Sequence, residues 1–138
     1  MWGEKHWMAI DLKIDEADKC VHVNIEGRVT DQEIQDAVNE LRTLFDSHRL
    51  DDSWLQVVDT SKITSVDEVT TSVIRDAARE GAWPSGSLRV IIAPSDLAFG
   101  LARMYQIQRA QRDGSNLHVV RSREEADKLI AESRSKEH

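Results

Sequence analysis

The chain has 138 residues, 40% of them apolar, and a formal charge of -7. That length suits one domain burying about two-thirds of its unfolded surface, and a negative chain with scattered arginines argues against a nucleic-acid partner. The single cysteine, Cys20, excludes an internal disulfide and fits a reducing compartment.

The amino end, Met1 to His6, lacks the apolar core of a signal peptide, and no run approaches the roughly 18 apolar residues of a membrane span. A cytoplasmic protein is expected, with one domain over residues 1–132 and a charged, frayed tail over 133–138. Met8, Ile10, Leu12 and Ile14 alternate with polar positions, as do Val21, Val23 and Ile25. This two-residue period predicts two half-buried strands joined as a hairpin through Asp15 to Lys19. Thr30 and Glu33 have capping-box spacing and start a helix whose stripe is Ile34, Val38, Leu41 and Phe45, with Ala37 and Leu44 beside it.

Leu55 to Val58, Leu88 to Ala93 and Leu117 to Val120 are nearly continuous apolar runs, the pattern of parallel strands covered on both faces. The first should end at Asp59, with Thr60 to Lys62 as a loop. Ser65 with Glu68 and Ser122 with Glu125 repeat the capping-box spacing and place two more helix starts. Val66, Val69, Val73 and Ala77 form the next stripe, Leu97, Leu101, Met104 and Tyr105 the third, and Ala126, Leu129 and Ile130 the last. The order ββαβαβαβα gives an α/β fold: an antiparallel hairpin leading into parallel strands joined by crossover helices in one mixed sheet.

Three segments carry a resemblance: Val23-Asn24-Ile25-Glu26-Gly27-Arg28-Val29-Thr30, Val57 through Asp67, and Ser95-Asp96-Leu97-Ala98-Phe99-Gly100. Together they resemble the STAS domain, the SpoIIAA-like fold of anti-sigma-factor antagonists, which implies a regulatory protein-interaction module. In the phosphorylation-switched members the strand-to-helix turn carries an Asp followed by a phosphoacceptor Ser. Asp67 matches the Asp, but Glu68 stands at the acceptor position, so no phosphorylation is expected there. Glu68 is either a permanent mimic of the phosphorylated state or the second half of the Ser65 capping box.

No catalytic constellation is present: there is no Gly-x-Ser-x-Gly turn, no phosphate-binding glycine loop and no zinc spacing among the histidines. A non-enzymatic protein without metal or cofactor is therefore expected. Asp59, Asp67 and Asp96 at the carboxyl edge of the strands, and Cys20 with His22 on one strand face, are read as turn, cap and surface residues rather than metal ligands. The candidates for partner or ligand contact are Asp59, Ser61, Asp67, Glu68, Phe99, Arg103 and Trp83. Phe99 and Arg103 project from the outer side of the third helix, with Phe99 either a contact residue or covered by a neighbouring loop, Trp83 lies in a loop, and Trp7 is in phase with the wet strand face.

Two functions follow. The first is a STAS-like interaction module with a protein partner, or forming a homodimer. The second is a carrier of a small apolar ligand or lipid, in some settings membrane-associating, since SpoIIAA-like proteins are similar in fold to CRAL-TRIO lipid-transfer domains. Ala98 and Gly100 serve either close helix-to-strand packing or space for such a ligand.

Overall fold

The computed structural model describes the backbone of residues 2–7, 9–84, 86–113 and 116–135, and the side chains of 9–84, 86–110 and 116–135. Six strands and four helices follow the order β1 (Trp2–Trp7), β2 (Ile10–Asp15), β3 (Cys20–Thr30), α1 (Asp31–Asp46), β4 (Leu55–Glu68), α2 (Thr71–Glu80), β5 (Arg89–Ile92), α3 (Asp96–Asp113), β6 (Leu117–Val120) and α4 (Arg123–Ser135). The strands lie side by side in chain order in one sheet. β1, β2 and β3 are antiparallel, and β3 to β6 are parallel. The α/β class and the mixed sheet thus agree with the sequence pattern. The edge strand β1 is an addition to it. The expected contribution of Met8 to the hairpin lies outside the described residues, as does the orientation of Trp7.

Parallel strands added successively in one direction, with one crossover hand, put their connecting helices on one face. The alternation of side chains bears this out. Leu12, Val23, Val58 and Ile91 face α1, α2 and α3, whereas their neighbours Cys20, Val57, Val90 and Ile92 pack with Ala126, Leu129 and Ile130 of α4. α4 follows the last strand and folds to the opposite face, where it covers β5 and β6.

Helix starts tie the layers together. Thr30 and Glu33 form both halves of the expected capping box, and the second Glu33 carboxylate oxygen also accepts from the Ala9 amide, between β1 and β2. Ser122 accepts from the Glu125 amide at 3.2 Å and starts α4 as read.

The second helix start differs. No turn follows Asp59; β4 continues to Glu68, pairing with β3 out to Thr30↔Glu68 through three register shifts. Gly27, at φ +72°, supplies the left-handed backbone within this irregular stretch. The cap of α2 is Thr70, whose hydroxyl accepts from Val73 N at 3.2 Å. Asp31 at the start of α1 fixes that threonine, accepting from its amide and its hydroxyl at 2.7 Å each. The Ser65 and Glu68 pair is therefore not a capping box: both residues belong to an extended strand, where a three-residue spacing cannot close one.

α3 also differs, by rotation about its axis. Ala98 and Ala102 are buried against β5 and β6, while Leu97 is 51% exposed. Small side chains let this helix approach the sheet where leucines would hold it away. The stripe continues through Tyr105 to Arg109, which is wholly buried and spans to the loop after α2, donating to the carbonyls of Ala78, Gly81 and Trp83. No described helix is long and apolar enough to cross a membrane.

Candidate functional site

α2 packs against α3 and α1 and makes no comparably close approach to any strand among the described residues. The space beneath is an apolar cavity of about 160 Å³, partly open to solvent, between the α1-α2-α3 layer and the sheet. Leu12, Val23, Val58 and Ile91 form its floor, with Ile34, Val38 and Leu41 from α1, Ile74 and Ala77 from α2, and Ala98, Leu101 and Ala102 from α3 around it. The inward residues Ile34, Val38 and Leu41 are only half-buried because part of their surface lines this space.

Its lining includes four residues with polar side-chain atoms: Gln56, Thr60, Arg89 and Tyr105. The Thr60 hydroxyl is already committed, donating to Ile92 O at 2.7 Å. Gln56 and Arg89 are cross-strand neighbours on β4 and β5, both on the cavity side of the sheet. Arg89 Nε donates to Gln56 Oε1 at 2.8 Å, and its guanidinium lies 5.3 Å from the Tyr105 ring centroid and 5.7 Å from that of Trp83. These aromatic faces stabilise a cation. Yet Arg89 is only 7% exposed, its Nη1 has no hydrogen-bond partner, and no acidic side chain pairs with it among the described residues. A buried charge without a counter-charge is costly. The cavity is thus an apolar space with one positive group in its wall.

The residues singled out from the sequence are dispersed. Asp59 and Ser61 do come together, at a polar depression of about 80 Å³ that includes Asn24, Glu26 and Lys62. Burial works to raise the Asp59 carboxyl, but hydrogen bonds from the Ser61 hydroxyl and amide, with the Arg123 guanidinium 2.9 Å away, outweigh it and hold the carboxyl below the ordinary aspartate range. Asp67 and Glu68 are exposed near the end of β4, and Glu68 pairs with Arg28 at 3.2 Å. Both precede α2, whose cap is Thr70 and not Ser65 as expected.

Phe99 is half-buried: it packs against the α3 core cluster, with the Arg121 guanidinium 3.9 Å over its ring. Trp83 is not a surface loop residue: it is 3% exposed and meets Phe45 edge-on at 5.2 Å. Arg103 is exposed and donates to Gln106. Ala98 lines the cavity, whereas Gly100 faces open space.

Asp59, Asp67 and Asp96 form no metal-binding group, and no cluster of three or more His, Cys, Asp or Glu side chains capable of holding a metal occurs among the described residues. Asp96 pairs with Arg121 at 3.1 Å. Cys20 and His22 share a face, but burial pushes the Cys20 thiol up to about 12, the wrong direction for a thiolate ligand. Burial also lowers the His22 imidazole below its ordinary value.

The decisive residues, Arg89 and Gln56, were missed because each lies within an apolar run where a lone polar residue gives no periodic signal. No protein-family model, curated protein or solved structure matches the chain.

Proposed function

We propose that the protein is a non-enzymatic binding protein for a small, mainly apolar molecule, held between the sheet and helices α1, α2 and α3. The carrying observation is the cavity of about 160 Å³, lined by aliphatic side chains from all three helices and four strands. Engineered cavities near 150 Å³ with such linings stay dry and accept guests the size of benzene. Natural binding sites combine an apolar lining with a few placed polar groups, as Arg89 and Gln56 are placed here.

We further assign the chain to the SpoIIAA-like group. The assignment is supported by the alternating strands and helices, the order of the strands and the three sequence segments that resemble STAS domains.

Native mass spectrometry of freshly purified protein, followed by denaturation to release bound mass, tests the carrier function. A retained small molecule released on denaturation is expected. An empty protein that also fails to take up added 1-hexanol contradicts it.

A second function, the STAS-like interaction module, draws on one observation: Leu97 and Ile107 of α3 leave about half their surface exposed, at 51% and 49%. A protein partner or a second copy would cover them. A mass that stays monomeric across concentrations counts against the homodimer.

A further inference from the structure

We propose that the cavity's guest is an organic monoacid, its carboxylate held by Arg89 and its short hydrocarbon or aromatic body among the aliphatic side chains. This rests on the reading of the cavity as a binding site and names the class of molecule that enters it.

Charge comes first. An arginine side chain keeps its proton and offers only donors. Arg89 is buried in the cavity wall, one nitrogen is satisfied by Gln56, Nη1 has no partner, and no carboxylate of the described chain neutralises it. The guanidinium lies against the rings of Tyr105 and Trp83. An unsatisfied donor on a fixed positive charge calls for an anion, and none of the residues lining the cavity is acidic.

Geometry narrows the anion. A single planar guanidinium presents parallel N–H groups that match the two oxygens of a carboxylate. A phosphate dianion would bring a second negative charge into a wall holding one cation. Gln56 fixes the guanidinium through Nε, while Tyr105 and Trp83 limit its movement.

Size narrows the body. A space of about 160 Å³ fits a guest near benzene in bulk, such as a short-chain or aromatic acid. A longer tail would have to leave through the open side.

Calorimetric titration of the full chain with hexanoate, methyl hexanoate and 1-hexanol at neutral pH tests the assignment. Hexanoate is expected to bind about 10- to 100-fold more tightly than either neutral analogue, the range of a hydrogen bond to a charged group. Its affinity should fall as pH is lowered through the ordinary carboxylate range, while that of 1-hexanol stays level. Arg89→Met, which keeps the aliphatic bulk, should abolish the preference for hexanoate. If Arg89→Met fails to fold, the ester comparison and the pH series on the unaltered chain decide. Equal or tighter binding of the neutral analogues, or a preference for hexanoate that survives Arg89→Met, overturns the acid assignment and leaves the apolar cavity standing. Failure of all three compounds to bind overturns both.

Discussion

Gln56 and Arg89 face each other across the parallel strands β4 and β5, with the arginine Nε donating to the glutamine oxygen at 2.8 Å inside the apolar layer. The amide holds a cation in a place where hydrophobic residues would pack more cheaply. Replacing Gln56 by Leu removes the one side-chain acceptor of that guanidinium among the described residues. The expected loss is about 2 kcal/mol in urea denaturation, the scale of a buried hydrogen bond to a charged group.

Two buried alanines on opposite faces separate an unfilled layer from a filled one. Ala77 of α2 borders the cavity, whereas Ala126 of α4 is fully buried among Val90, Ile92 and Val120. Ala126→Leu should cost about 1–3 kcal/mol through overpacking. Ala77→Leu, on a helix that does not press on the sheet, should leave the melting temperature level or higher and should abolish uptake of 1-hexanol. Thermal unfolding of the two variants beside the parent checks the contrast.

Cys20 lies under α4 with its thiol raised to about 12. At neutral pH almost no thiolate is present, so a thiol-reactive dye should label the native protein slowly and the urea-unfolded protein rapidly. Rapid labelling under native conditions would mean that α4 opens freely.

The Asp59 carboxyl is lower in the folded state than in the unfolded chain, because its bonds from Ser61 and Arg123 outweigh its burial. The stabilisation it gives is therefore fully present above the ordinary aspartate value and is lost as pH falls through the lowered folded value. Asp59→Asn should reduce stability at neutral pH and flatten the acid side of the stability curve. Denaturation midpoints taken from neutral to acid pH measure that slope.

His48 follows the last residues of α1 at φ +63°, a left-handed conformation that favours glycine at a helix end. The His48 and Leu50 amides bond to Phe45 O at 3.0 Å and Leu44 O at 3.2 Å, and the Ser47 hydroxyl donates to Leu44 O at 3.1 Å, so these bonds close the turn without the His48 side chain. His48→Gly should stabilise the protein by about 1 kcal/mol, read as a higher melting temperature.

The features legible in the sequence depended on residues close together in the chain. The β2 and β3 alternation, the Thr30–Glu33 box and the inward stripe of α4 each follow from local spacing. The start of α2 did not, because β4 continues past Asp59 only by pairing with β3, more than thirty residues earlier. The rotation of α3 was equally hidden: Leu97 continues the larger stripe with Leu101, but the close approach selects Ala98 and Ala102 and turns Leu97 outward. Arg109 reads as a surface charge until the loop carbonyls it serves are in place. A cavity has no residue pattern of its own, since it arises where facing side chains fail to meet.

The most direct test of the binding cavity is methyl-resolved NMR of the protein titrated with 1-hexanol. Shifts should concentrate on Ile74, Ile91 and Leu101, which line the cavity, and leave Val57, Val90 and Leu129 on the α4 face unchanged. Saturation without any shift at the first group, or shifts confined to the second, would contradict the account.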